Sequence, residues 1–242
     1  MKNHSWLQMM KQLPGKISTH LYASGHDQSN PQHVSYLRQL QKEFRQQDVL
    51  QRPLHTLKVV VFDIETTGFF PERGDTILSI GAVKTTNGNI KEEFYSLVST
   101  EKPLAPDIKN LTGLKEEDLR QAPPIDEVLT RFFGFVRGHV LVAHHANHEK
   151  AFMQHTLWQT SRRSFTQRII DTQFLMQLCE PHLPLVRLEE CCSHCHIAVT
   201  NRHHALGDAR LTAQLWAHCI KLLTHKGYEN LQDIYDQLAK KA

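Results

Sequence analysis

Two acidic residues stand two positions apart in "FDIETTG", where Asp63 and Glu65 follow an apolar, β-branched run. In a β-strand, this spacing places both side chains on the same face of the sheet. Two carboxylates on one side of a buried strand repel each other, and a divalent cation with oxygen ligands, such as Mg²⁺, relieves that repulsion. Alternatively, the strand emerges into a loop there and both acids are solvated. The pair alone does not decide between these interpretations.

A second pair of ionisable residues occurs in "RHHALGDARLTAQL", where His203 precedes Asp208 by five positions at the start of a predicted helix. An acid that binds metal and a histidine with a near-neutral pKa can border one cleft in this arrangement. The same residues are also compatible with an ordinary helix N-terminus and its cap.

Three histidines and one carboxylate are concentrated in "AHHANHEKAF", residues 143–152. His144 and His148 are four positions apart. If the helix began before His144, both would lie on one helix face and could bind zinc. However, His144 is predicted to end a strand, and the order His-Glu-x-x-His of a zinc helix is absent. The zinc hypothesis is therefore disfavoured.

The elements that must position these residues follow from the pattern of apolar residues. Strands are predicted at "LKVVVFDIE", "DTILSIGAVKTT", "EEFYSLVS", "HVLVAH" and "RIIDT", and the Asn-Gly turn in "NGN" makes the first three an antiparallel meander. Helices are predicted at "PPIDEVLTRFFGFVRG", "NHEKAFMQHTLWQ", "QFLMQLCEP", about 204–223 and "ENLQDIYDQLAKK". Grouped strands followed by strand–helix alternation indicate an α/β fold, with a mixed sheet covered by helices on both faces.

The segment 1–56 differs in composition from the rest. It carries seven Lys or Arg against three Asp or Glu, within a chain of net charge +3, and contains two amphipathic helix candidates, "HSWLQMMKQL" and "PQHVSYLRQLQKEFRQQDVL". We therefore predict a basic, helical N-terminal extension over 1–56 and a separate folded domain over 57–242. The basic extension is either a solvated helix face or a contact for phosphates or an acidic partner.

Composition also excludes several classes of protein. The 242 residues include no apolar run of about 18 residues, so no membrane span is expected. The N-terminus lacks the features of a secretory signal, and five cysteines are an odd number in a chain long enough to need no disulfides. A cytoplasmic protein with reduced thiols is the simplest prediction.

Taken together, these motifs resemble the DEDDh family of 3′→5′ exonucleases, which includes the proofreading epsilon subunit of bacterial DNA polymerase III. "VVFDIETTG" matches the first motif of the family, "NLTGLKEEDLRQAPPIDEVLTRF" resembles its leucine-threonine-glycine segment and following helix, and "HHALGDARLTAQL" matches its last motif. The resemblance covers residues 57–224 and implies an RNase H-like fold with five strands. It also implies that Asp63, Glu65 and Asp208 are metal ligands and that His203 is the general base.

One motif departs from the family pattern. The middle motif of the family ends in an aspartate, and in this frame the equivalent residue is Glu149, one methylene longer. Three hypotheses follow: Glu149 acts as the ligand through a shifted helix or rotamer, the site is impaired, or the histidines bind zinc. We favour them in that order. Asp171, at the end of the fifth strand, is a further acid that could substitute for Glu149. We favour a helix cap as its role.

The cysteine-rich segment "CCSHCH", residues 191–196, is a second candidate zinc site. Cys192 and Cys195 have the spacing of zinc ligands, with two histidines nearby, but a structural zinc site usually needs a second paired group. The matching region of the family is a helix with a buried cysteine, so we favour packing.

The resemblance implies hydrolysis of phosphodiester bonds at the 3′ end of single-stranded nucleic acid, with two Mg²⁺ or Mn²⁺ ions about 3.5–4 Å apart. DNA is the favoured substrate, and nucleoside 5′-monophosphates are the expected products. Thr66 and Thr67 would meet the terminal nucleotide through backbone groups, and Phe69 would stack on a base. A DNA polymerase or another replication protein is a possible partner. The alternative is a catalytically impaired binding module that retains the fold.

Overall fold

The computed structural model describes residues 49–86 and 88–239. Both helices predicted within the N-terminal extension fall largely on residues 1–48, and Asn87 belongs to the predicted turn. These residues lie outside the described ranges, so the helical extension stays a prediction.

Five strands form a single mixed sheet in the described ranges: β1 (Val59–Thr66), β2 (Ile77–Thr86), β3 (Asn89–Leu97), β4 (Val140–Ala143) and β5 (Ile169–Asp171). Their order is β3-β2-β1-β4-β5. β1 pairs with β2, and β2 with β3, in antiparallel register, whereas β4 is parallel to both β1 and β5. The predicted meander and mixed five-stranded sheet are therefore confirmed, and β1 lies at the centre.

Eight α-helices accompany the sheet within the described residues: α1 (Pro106–Thr112), α2 (Glu116–Arg120), α3 (Ile125–Phe135), α4 (Ala146–Ser161), α5 (Thr172–Cys179), α6 (Leu188–His194), α7 (Ala205–His225) and α8 (Leu231–Ala239). The five helices predicted from apolar spacing correspond to α3, α4, α5, α7 and α8. Short 3₁₀ helices occur at Leu54–Thr56 and Pro71–Arg73. The structure describes no helix with the length and apolarity that crossing a membrane requires.

The alternation of side chains along β1 divides the hydrophobic core in two. Val59 and Val61 point to one face of the sheet and pack in a cluster with residues of α5, α6, α7 and α8. Val60 and Phe62 point to the other face, which is covered by α3 and α4. Because Asp63 and Glu65 share the parity of Val59 and Val61, both acids lie on the face covered by α7.

Close approach of α7 to the sheet depends on Gly81. This residue of β2 is the direct partner of Asp63 in the register with β1. A Cβ atom at position 81 would lie 2.1 Å from the backbone nitrogen of Leu206, in the first turn of α7. Only glycine permits this contact, and it brings the start of α7 against the strand pair that carries the acids.

The last residues of the predicted extension pack against the domain. Val49 and Leu50 contact the larger core cluster, and Leu54 is buried in it. Leu54 N donates to Glu229 O at 2.8 Å, just before α8. The described end of segment 1–56 thus lies beside the C-terminal helix.

Candidate active site

Asp63, Glu65 and Asp208 converge at the end of the central strand. Asp63 and Glu65 come from β1 and Asp208 from the first turn of α7, and one ligand oxygen from each lies within 4.8 Å of the others. Glu65 and Asp208 are buried, with 9% and 4% of their surface exposed. The structure thus brings the acid pair of β1 together with an acid from a distant part of the sequence.

This acid cluster is electrostatically unfavourable without a cation. Burial, reinforced by the charge of Asp208, raises the pKa of Glu65 from 4.5 to about 8. Burial also raises the pKa of Asp63 well above its usual range, with further contributions from Glu65 and Asp208. Closely spaced, desolvated carboxylates of this kind match the oxygen ligands of hard divalent cations.

Glu149 supplies a fourth acid to the same cavity. It lies in the first turn of α4, is only 3% exposed, and stands apart from the three-acid group. Burial raises the pKa of Glu149, and the charges of Asp171 and Glu65 raise it further. Its Oε2 is buried with no hydrogen-bond partner among the described residues, as is Oδ1 of Asp208. Two buried carboxylate oxygens therefore point to a missing ligand, and a divalent cation fits them.

Asp171 positions the helix that carries Glu149. Its carboxylate accepts hydrogen bonds from His145 N at 3.1 Å and Ala146 N at 3.0 Å, at the start of α4. It also accepts from Gln173 N at 2.9 Å, in the first turn of α5. The predicted helix cap is therefore confirmed, and one carboxylate caps two helices.

The histidines of "AHHANHEKAF" do not form a metal site. Both ring nitrogens of His144 are hydrogen-bonded at 2.9 Å, Nδ1 to Thr172 Oγ1 and Nε2 to Val186 O. Burial lowers the pKa of His144 to about 3 and that of His148 to about 4, so both rings are neutral. His145 adopts a left-handed backbone conformation, with φ of 62°, at the corner between β4 and α4. Among the described residues, the one group of potential metal ligands contains no histidine.

The cysteines of "CCSHCH" are core residues. Cys191, Cys192 and Cys195 are buried in the larger cluster with Cys179 and Cys219, and all five are free thiols. Cys191 and Cys192 belong to α6, in agreement with the helix that the family resemblance implied.

His203 borders the cavity next to the acid cluster. Its φ of 61° is left-handed, and burial together with the charge of Arg202 lowers its pKa below 6.5. The neighbouring His204 caps α7, with Nδ1 accepting from Gly207 N at 3.4 Å, and its ring stacks on Tyr95 at 4.6 Å. The motif "HHALGDA" is thus both a helix N-terminus with a cap and part of the site.

Arg202 is a site residue that the sequence analysis did not identify. Nη1 of its guanidinium contacts Asp208 Oδ2, and Nη2 lies 3.0 Å from Glu189 Oε2 in α6. Asp208 Oδ2 also accepts from His203 N at 3.0 Å. The sequence shows a cationic residue directly before His203, but it does not show where that side chain points.

The acids and His203 line a cavity of about 390 Å³ that is open to solvent. Thr66 and Phe69 line it, and Phe69 is 46% exposed with its ring edge against His148, 5.9 Å between centroids. Thr67 lies just outside, where its hydroxyl joins Asp75 and Thr76 N in the turn after β1. Ile108 and Leu111 of α1 also line the cavity, and sequence analysis missed them because α1 has only seven residues and buries none of them.

Comparison with known proteins agrees with this geometry. A family model described as Exonuclease, RNase_T, matches residues 60–216. The DNA polymerase III PolC-type of Bacillus cereus is 32% identical over 181 residues, which are 75% of this chain and 12% of that much longer protein.

Two solved structures have the same fold. The nuclease domain of 3′hExo, a DEDDh family member bound to rAMP, superposes with a TM-score of 0.61 at 17% identity, over 71% of this chain and 94% of that chain. Exonuclease X in complex with 5′ overhanging duplex DNA gives a TM-score of 0.55 at 21% identity, over 73% and 98%. Given the family match over residues 60–216 and the acids at the end of β1, the chain belongs to the RNase_T exonuclease family.

Proposed function

We propose that this protein is a metal-dependent 3′→5′ exonuclease that hydrolyses phosphodiester bonds at the 3′ end of single-stranded nucleic acid and releases nucleoside 5′-monophosphates. The observation that carries this proposal is the convergence of three buried acids and His203 on one open cavity, in a chain of the exonuclease family. DNA is the favoured substrate because the PolC-type relative is a DNA polymerase.

The residues fit two Mg²⁺ or Mn²⁺ ions. Asp63, Glu65 and Asp208 would hold one ion, Asp63 would be shared with the second, and Glu149 would complete the second position directly or through water. When bound, such ions lower the pKa of a water molecule and stabilise the negative charge of the reacting phosphate. The unpartnered oxygens of Glu149 and Asp208 support this assignment.

The protein's own groups would prepare the substrate for attack. His203, neutral at pH 7 because its pKa lies below 6.5, accepts the proton of the attacking water. The exposed ring of Phe69 offers a stacking surface for a base, and Thr66 with Thr67 offers backbone groups to the terminal nucleotide. The aliphatic side chains of Ile108 and Leu111 add apolar surface to the same cavity.

Several wider features belong to the same proposal. Residues 1–56 would be a basic extension of the catalytic domain 57–242, with a charge that suits contact with nucleic acid phosphates or with an acidic partner such as a polymerase or another replication protein. A cytoplasmic location with reduced thiols is consistent with this role, since all five cysteines are free and buried.

The alternative is a binding module with an impaired centre, and Glu149 in place of aspartate is the observation that favours it. A degradation assay separates the two. Purified protein is incubated with 5′-labelled single-stranded DNA and RNA of defined ends in Mn²⁺ or Mg²⁺, with Asp63→Ala as control. Shortening from the 3′ end that is absent in the control supports the enzyme. No cleavage of either substrate by the unmodified protein supports the module.

A further inference from the structure

Arg202 occupies an unusual place for a cation. It lines the cavity, and its side chain is 24% exposed, whereas the side chain of its partner Asp208 is only 5% exposed. Its two terminal nitrogens bind two different carboxylates, Asp208 in α7 and Glu189 in α6. The guanidinium is therefore held at the edge of the acid cluster, between two helices, with one side open to the cavity.

Asp208 does not depend on Arg202 alone. The oxygen that contacts the guanidinium also accepts a hydrogen bond from His203 N at 3.0 Å, and the second oxygen has no partner among the described residues. If Arg202 moved away, Asp208 would keep a backbone donor that fixes its orientation. The guanidinium is thus not required to position this carboxylate.

Charge balance indicates a second task for the guanidinium. Asp63, Glu65, Glu149 and Asp208 together offer four negative charges, and the two divalent cations of the proposed function would neutralise them. The cavity lining also includes Glu189, Arg187 and Arg202, so with both ions bound its charges sum to one positive charge, where a phosphodiester with one negative charge must lie. A planar guanidinium with paired donors matches the oxygens of a phosphate better than any other side chain.

We propose that Arg202 binds the phosphate of the substrate strand, and that Asp208 and Glu189 hold it beside the acid cluster until the cavity is loaded. This inference rests on the proposed function, because it takes a nucleic acid strand as the ligand. It assigns Glu189 a role too, as the carboxylate that pairs with Arg202 until the phosphate takes its place.

The salt dependence of binding tests this role directly. Binding of a fluorescent oligothymidylate in Ca²⁺, which is used to slow cleavage, is measured across a range of salt concentrations. Each phosphate neutralised on a single strand contributes about 0.7 to the slope of log affinity against log salt. Arg202→Gln should lower the slope by about that amount, whereas Arg202→Lys should retain it. The matched control is Arg210→Gln, which removes an arginine–glutamate pair between α7 and β3, with Glu93, outside the cavity.

A second measurement uses Mn²⁺ without nucleic acid. Because Arg202 competes for Asp208 and repels a cation in the cluster, Arg202→Gln should bind Mn²⁺ roughly 3–10-fold more tightly in calorimetry. If Arg202 served only to position Asp208, Arg202→Gln would instead bind Mn²⁺ more weakly. Unchanged salt slope, or weakened Mn²⁺ binding, in Arg202→Gln would overturn the proposal.

Glu189→Gln covers the case in which Arg202→Gln fails to fold. Releasing Arg202 from one carboxylate should raise oligothymidylate affinity, and a loss of affinity would count against the proposal. Neither binding measurement requires cleavage. Failure of the proposed function would appear as an inactive unmodified protein, independent of the outcome for Arg202.

Discussion

Replacing Glu65 with glutamine is expected to stabilise the metal-free protein, although it removes a proposed metal ligand. Glu65 is buried, and its pKa is raised from 4.5 to about 8 because burial and Asp208 both disfavour its charge. A carboxyl group with a raised pKa in the folded state stabilises the fold when it is protonated. That contribution is complete below pH 4.5 and is lost as the pH rises through about 8.

The magnitude follows from the two pKa values. Ionising Glu65 in the folded protein costs up to about 5 kcal/mol relative to ionising it in the unfolded chain. Between pH 6 and pH 8, the unmodified protein should lose roughly 2 kcal/mol of its free energy of unfolding through this group. For a chain of this length, that loss corresponds to about 4–8 °C in melting temperature. Glu65→Gln keeps the shape of the side chain without the charge, so it should not show this loss.

The assay is thermal unfolding at pH 6, 7 and 8 after removal of divalent ions with a chelator. Glu92→Gln is the matched control, since Glu92 is an exposed acid paired with Lys84 and should follow the unmodified protein. Adding Mn²⁺ should abolish the pH dependence of the unmodified protein, because the cation replaces the proton on the cluster. Equal pH dependence in Glu65→Gln and the unmodified protein would refute this account of the acid cluster.

Three further predictions concern the remaining site residues. Glu149→Gln should lower the single-turnover cleavage rate by about 10²-fold or more, since the shape of the side chain is kept and its charge is lost. Glu149→Asp should remain active. Equal rates for Glu149→Gln and the unmodified protein would show that Glu149 is not a ligand. His203→Ala should lower kcat by about 10²–10⁴-fold. Because burial and Arg202 lower the pKa of His203, activity should fall only below pH 6.5, and a midpoint above 6.5 in the pH–rate profile would contradict its role as base. Asp171→Ala leaves three backbone N–H groups at the starts of α4 and α5 without an acceptor. Urea unfolding should show that its free energy of unfolding falls by about 3 kcal/mol or more, with a smaller loss for Asp171→Asn. An unchanged urea midpoint for Asp171→Ala would argue against the double cap.

Much of the sheet and of the acid cluster could be predicted because each depends on local pattern. The apolar run of β1 and the two-residue spacing of Asp63 and Glu65 fix a buried strand with both acids on one face. The motif around Asp208 predicts a helix N-terminus, and the resemblance to the exonuclease family implied that Asp208 is the third acid. These features need no knowledge of distant contacts.

The remaining features depend on contacts between distant residues. Burial lowers the pKa of His144, and its two ring nitrogens are held by Thr172 and Val186, 28 and 42 positions later. The left-handed backbone at His145 and His203 is uncommon in any residue other than glycine, although histidine adopts it more often than most, so composition does not show which histidine has it. The direction of Arg202 is set by Glu189 in another helix, and the charge alone is visible in the sequence.

The acid cluster has two parts, Asp63 with Glu65 on β1 and Asp208 on α7. Because residue 81 is glycine, the distance between these parts is set by direct contact of backbone atoms. The strand pair that bears Asp63 and the helix turn that bears Asp208 meet without any side chain between them. A methyl group at position 81 would lie 2.1 Å from Leu206 N, and ordinary contact would require the helix to retreat by about an ångström or more. The clearance between the two halves is thus a fixed length that no rotamer change can restore. Any side chain at position 81 would separate the acids without removing one of them.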